Sequence, residues 1–158
     1  MNFLTEHGIS SYGELESKLT AVSARRDTAH AEIKRIESRS AELALVMKHA
    51  GTYRQLKPLY ERYRKSNDKE KFLRGHESEI ILFEAAAREL KRLGTVPLPT
   101  TESMKTELAN LNAEKERLLA EYKAARAEAQ EYETVKQNVD ALLTVAKEQE
   151  QQRRHELE

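Results

Sequence analysis

Leu15, Leu19, Val22, Ala29, Ile33, Ile36, Leu43, Met47 and Ala50 follow one another at the spacings of a heptad seam, with Arg26 and Ser40 at two of the seam positions between them. An apolar stripe of this period and length describes a long helix lying against a partner helix. Polar residues in such a seam cost stability but help to fix its register. A second stripe runs through Met104, Leu108, Leu111, Leu118, Tyr122, Ala125, Ala129 and Tyr132. Val135, Val139, Leu142 and Ala146 continue it after one skipped residue. No repeat of 20 to 50 residues accompanies these seams.

Composition agrees with long helices. The chain has 158 residues, which argues for one domain, and is 34% charged with 5 Gly and 3 Pro. Turn formers are too few for an all-β fold. The absence of cysteine excludes disulfides, thiolate metal sites and cysteine catalysis. No apolar run approaches the roughly 20 residues that cross a bilayer. The opening "MNFLTEHGIS" has neither the basic start nor the apolar core of a signal peptide. The expectation is a cytoplasmic, all-α protein.

Local signals place three main helices. Ser11 with Glu14 three residues on is a capping box for a first helix over about 11–65. The seam loosens at Ala50-Gly51-Thr52 and Pro58 follows. A kink is expected near 51–58, because proline removes one helical hydrogen bond and clashes with the preceding turn. Asn67 with Glu70 caps a second helix over about 68–93. Its run "IILFEAAAREL" is apolar nearly all round and is expected to be covered on more than one side. Gly94 supplies a left-handed stop, and 94–100, with Pro97 and Pro99, is an extended linker. The third helix spans about 101–155. It is about 80 Å long at 1.5 Å per residue, and only the first helix can pair along it. The expected architecture is a long antiparallel coiled-coil hairpin with a three-helix head. In the expected register Leu142 meets Leu19, and Ala129 faces Ile33. A homodimer whose second chain covers the seams fits the same pattern. Leu157 and Glu158 carry no weight in this reading.

Charge is neutral in total but unevenly distributed. Between residues 53 and 74, eight cations stand against Glu61, Asp68 and Glu70, a net +5. Between Glu102 and Glu133, eight glutamates stand against five cations, a net −3. A basic tract interleaved with Tyr53, Tyr60 and Tyr63 suits phosphate contacts and base stacking. The candidate DNA-binding residues are Arg54, Lys57, Arg62, Arg64, Lys65, Lys69 and Lys71. Read otherwise, the tyrosines bury their rings in the head and the cations form its wet face, pairing with the acidic helix. Metal binding finds no support: helical carboxylate sites want a Glu-x-x-His repeated on two helices. Here Glu77 precedes Ile80, and His76 with Glu79 forms a polar edge. The five histidines are scattered, no glycine-rich phosphate loop occurs, and no cofactor is implied. No constellation resembles an active site.

The stretch "YRQLKPLYERYRKSNDKEKFLRGHESEIILFEAAARELKRLG" resembles the region downstream of the nuclease domain in relaxases, the mobilisation nucleases of conjugative and mobilisable elements. The shared pattern is Lys57, Pro58 and Tyr60, then Tyr63 and Lys65, then Lys69, Glu70, Lys71 and Phe72. It continues through His76, Glu77, Glu79, Ile80, Leu82, Glu84 and Ala85. "NFLTEHGISSYGELE" and "YETVKQNVDALL" also fit, so the resemblance covers nearly the whole chain. The histidine cluster and tyrosine nucleophile of a nicking enzyme do not carry over. The resemblance therefore implies a non-catalytic accessory region that supports DNA mobilisation by contacting DNA or by docking to a protein of the transfer apparatus. The alternative is a purely structural coiled-coil module for protein–protein interaction or oligomerisation.

Overall fold

The computed structural model describes His7 and residues 10–157; the rest of the "MNFLTEHGIS" segment and Glu158 lie outside the described residues. Three helices account for nearly all of it: α1, Tyr12–Lys65; α2, Lys69–Arg92; and α3, Thr101–Leu157. The expected all-α class is observed, with no strand among the described residues.

The helix ends follow from side chains that satisfy backbone groups. The Glu14 amide donates to Ser11 Oγ (3.2 Å), and the Glu14 carboxylate accepts from the backbone N–H of Ser10 (2.8 Å). The box thus closes one residue earlier than Ser11 alone would close it. These hydrogen bonds from Ser10 hold the Glu14 carboxyl below its ordinary pKa. At α2 the cap is Asp68, one residue later than the expected Asn67. Its carboxylate accepts from the Lys71 amide at 3.1 Å, because the accepting oxygen must lie three residues before the amide it serves. At the other end of α2, Gly94 has φ +71°. Its amide donates to the Lys91 carbonyl and the Thr95 amide to the Leu90 carbonyl, both at 3.1 Å. This is a Schellman stop, favoured by glycine because a Cβ is costly at that φ. Thr100 caps α3 by accepting from the Ser103 amide.

Two expectations about the helices are revised. The backbone remains helical through 51–58 and past Pro58. Pro58 is exposed, so water can take the place of the hydrogen bond it removes. The non-helical residue lies in α2 instead, at His76 (φ −137°, ψ 26°). The apolar run of α2 is also covered along one stripe only. Ile80, Phe83, Ala86 and Leu90 are buried, whereas Ile81 and Leu82 are each 55% exposed.

The chain divides into two compact units, residues 1–34 with 115–158, and residues 35–114. The first is a pair of antiparallel helical segments. Leu15, Val22, Ala129 and Tyr132 form its buried cluster, with Tyr12, Leu19, Val135 and Val139 packed against it. Its register is read from Tyr12 Oη donating to Asp140 (2.5 Å), Arg25 donating to Glu128 (3.0 Å) and His30 lying 5.7 Å from Tyr122. These pairs place Leu19 level with about residue 133, where Leu142 was expected. The slip is about nine residues, roughly 13 Å at 1.5 Å per residue. Leu142 consequently lies beyond the first turn of α1 and is 70% exposed. Apolar spacing alone leaves an antiparallel seam several registers to choose from, and polar cross-pairs select among them.

The second unit packs three helical segments. Its core is Ile36, Leu43, Val46 and Ala50 of α1, Ile80, Phe83, Ala86 and Leu90 of α2, and Met104 and Leu111 of α3. Val46 joins the seam because a helix with two neighbours buries a wider stripe than a coiled-coil pair does. The α3 segment begins level with Arg54, whose guanidinium donates to Thr101 Oγ1 (2.8 Å) and to the Pro99 carbonyl. The linker is non-helical, with a cis Val96–Pro97 bond. Among the described residues no helix is long and apolar enough to cross a membrane.

Candidate nucleic-acid interface at the α1–α2 tip

The basic tract occupies the last turns of α1, the turn at 66–68 and the first turns of α2. No residue from 51 to 79 is fully buried. Only two helices meet here, since α3 starts level with Arg54. Two antiparallel helices enclose less than three, so the side chains between them stay half-exposed.

Aromatic stacking holds this tip together. The buried Phe83 ring stacks on Tyr53 (centroids 4.8 Å apart) and on Tyr60 (4.3 Å). Tyr60 meets Tyr63 at 5.9 Å, Tyr63 meets Phe72 at 6.1 Å, and Phe72 meets His76 at 4.6 Å. Such pairs contribute about 0.5–1.5 kcal/mol each beyond the area they bury. Tyr60 and Tyr63 thus serve as anchors between α1 and α2, on half-buried rather than fully buried rings. Phe83 is the residue that sequence reading passed over. It sits in a continuous apolar run, where periodicity does not mark it as the shared partner of two tyrosines.

The seven candidate cations are all exposed. Arg54 is engaged by Thr101 and Pro99 and works on the linker. Lys57 Nζ lies over the Tyr53 ring at 5.9 Å, and the Arg62 guanidinium over the Phe72 ring at 5.7 Å. Each keeps its charge at the surface while its stem covers an aromatic face. None of the seven forms an ion pair among the described residues. The acidic helix pairs elsewhere: Glu107 with Arg39 at 2.7 Å and Glu128 with Arg25 at 3.0 Å. Glu107 raises the Arg39 pKa by that hydrogen bond. The tip cations are therefore not neutralised by α3.

His76 Nδ1 is 3.7 Å from Glu79 and is buried without a hydrogen-bond partner. It lies at the non-helical residue of α2, as a polar edge beside Ile80. No group of three or more metal-ligating side chains gathers among the described residues. What the arrangement supplies is a net positive surface, its candidate cations outside ion pairs, on a stacked aromatic support. No protein-family model, no characterised protein and no solved structure matches this chain.

Proposed function

We propose that the chain is a non-catalytic helical accessory region of a DNA relaxase, and that its α1–α2 tip contacts the DNA backbone through Lys57, Arg62, Arg64, Lys65, Lys69 and Lys71. The carrying observation is the set of exposed cations without carboxylate partners, gathered on one two-helix tip. The relaxase assignment rests on the resemblance of residues 53–94, and a cytoplasmic setting follows from it. Arg54 is left out of the contact set, because its guanidinium is spent on Thr101 and Pro99.

Phosphate contacts carry no sequence information and release counterions, with a log–log salt slope near −0.9 per neutralised duplex phosphate. Six contacts give a slope of about −5. Binding is thus sequence-independent and lost steeply with salt. Fluorescence anisotropy of a labelled duplex across a salt series measures this. Reversal of Arg62, Arg64 and Lys65 to Glu lowers the affinity and brings the slope to about −3, while circular dichroism stays unchanged. Reversal of Lys105 and Lys123 on α3 leaves both nearly as they were. Absence of duplex binding at low salt, or an unaltered slope in the triple variant, defeats the proposal. The tract would then be a solvated face of a structural coiled coil.

A further inference from the structure

Within the 1–34/115–158 unit, α3 carries a further stripe besides the one that meets α1. Glu131, Thr134, Asn138, Leu142, Val145, Gln149 and Arg153 recur at spacings of 3 and 4 and so share one face. All seven are exposed, Leu142 at 70% and Val145 at 48%. The side turned to α1 is a different one: Ala129, Tyr132 and Val139 lie in or against the buried cluster, and Asp140 accepts from Tyr12. The stripe lies more than about 100° round the helix axis from that side. Glu133, Lys136, Asp140, Lys147, Glu148 and Glu150 all project about 100° or more away from its centre line, which leaves it uncharged from 132 to 152. Its two ends are charged and opposite. Glu131 lies eleven residues before Leu142 and Arg153 eleven residues after it, about 16 Å to either side. Neither forms an ion pair among the described residues. The neighbouring Arg154 is closed on Glu150 at 3.2 Å. An open hollow of about 460 Å³ over Ala127, Gln130, Glu131, Thr134 and Val135 marks the Glu131 end.

A face that is anionic at one end, cationic at the other and uncharged around a central leucine is complementary to itself when turned end for end. We propose that it pairs antiparallel with the same face of a second copy of this chain, about a two-fold axis at Leu142. Leu142 then meets its own counterpart, Val145 meets Asn138 across the axis, and Glu131 meets Arg153 at both ends, with the Arg153 stem over the hollow. In a parallel pairing Glu131 would face Glu131 and Arg153 would face Arg153, so only the antiparallel order satisfies both ends. Such an interface uses the same patch on both subunits and closes at two chains. The contact spans 22 residues, about 33 Å at 1.5 Å per residue. Asn138 in the stripe limits the affinity and helps to fix register and chain number. With one leucine pair and two valines as its apolar content, the interface falls below the standard size. The dimer is accordingly weak, with a Kd of about 50 µM, and thermal melts at about 5 µM report the monomer.

Sedimentation equilibrium of the full chain over about 5 to 500 µM, a range that brackets that Kd, is expected to show monomer and dimer and no larger species. Glu131→Arg is expected to weaken the dimer about fivefold or more, because two exposed ion pairs become like-charge contacts. Arg153→Glu is expected to do the same. Both changes in one chain should restore the wild-type Kd, and an equimolar mixture of the two single variants should associate as a heterodimer at about that Kd. Leu142→Asp places two carboxylates on the axis and should abolish the dimer across the range. Each of these side chains is exposed, so circular dichroism and the melting temperature at about 5 µM stay at wild-type values, which separates lost pairing from lost folding. A wild type that stays monomeric at the top of the range overturns the inference, the face then being solvated or covered by a different protein. Single charge variants that dimerise as tightly as the wild type, or a dimer that survives Leu142→Asp, also overturn it, since the copies would then pair through another surface. No residue of the DNA-contacting set belongs to the stripe, so failure of the dimer leaves the duplex prediction standing, and the converse also holds.

Discussion

Tyr12 shows how a single residue ties sequence-distant segments together. Its hydroxyl donates to Asp140 at 2.5 Å, and that hydrogen bond, followed by desolvation and the Asp140 charge, pushes its pKa up to about 12 from an ordinary 10.0. A pKa raised in the folded state contributes stability that is fully present below the unfolded value and lost as pH rises through the folded one. The contribution is therefore complete below pH 10 and fades between pH 10 and about 12. The measurable result is a late-titrating fraction in the tyrosinate absorbance of the six tyrosines, which Asp140→Asn moves to lower pH. Tyr12→Phe should lower the melting temperature at pH 8 and make progressively less difference as pH rises past 10. Ser40 represents the opposite case. Its seam hydroxyl is buried without a partner, which carries a desolvation cost rather than a gain.

Pro58 sets the question at the scale of one element. A proline inside a helix costs about 3 kcal/mol relative to alanine, yet α1 continues past it. Tyr53, Tyr60 and Tyr63 hold the segment to Phe83 and Phe72 from both sides of the proline. That packing offsets the lost hydrogen bond and keeps the backbone helical across the proline. Pro58→Ala should raise the melting temperature, by up to about 3 kcal/mol of stability at the propensity limit, and leave duplex binding intact. A thermal melt with anisotropy on the same sample checks both. Lower stability in this variant would mean that the proline is required by the tip rather than tolerated.

The whole molecule has a helix that outruns its partner. In α3 every described residue after Val139 is exposed, Leu142, Leu143 and Val145 among them at 48–70%. The 1–34/115–158 unit draws its packing from Tyr12 to Val139. Removing residues 145–157 should therefore change the melting temperature by no more than about 1–2 °C, less than a ΔΔG of 1 kcal/mol produces in a chain this size. Helical content by circular dichroism should fall in proportion to the length removed. A drop of 5 °C or more would show that the projecting turns support the core.

The heptad seams, the Ser11–Glu14 cap and the glycine stop were legible in the sequence, and the cap of α2 to within one residue, because helix periodicity and capping depend on residues within four positions of one another. The exposed cations of the tip were legible for the same reason: charge alternating with aromatics at helical spacing sorts itself into faces. Other features were decided between segments far apart in the chain. The nine-residue slip was set by Arg25–Glu128 and Tyr12–Asp140, which a count of apolar positions does not weigh. The uncovered Ile81 and Leu82 follow from how few neighbours the outer face of α2 has. The diversion of Arg54 exists only once the linker and the start of α3 lie against α1, and the stacking of Phe83 on Tyr53 and Tyr60 only once α2 does. Local periodicity determines which residues form a helix and which face is apolar; tertiary packing alone determines what that face meets and which charges are left over.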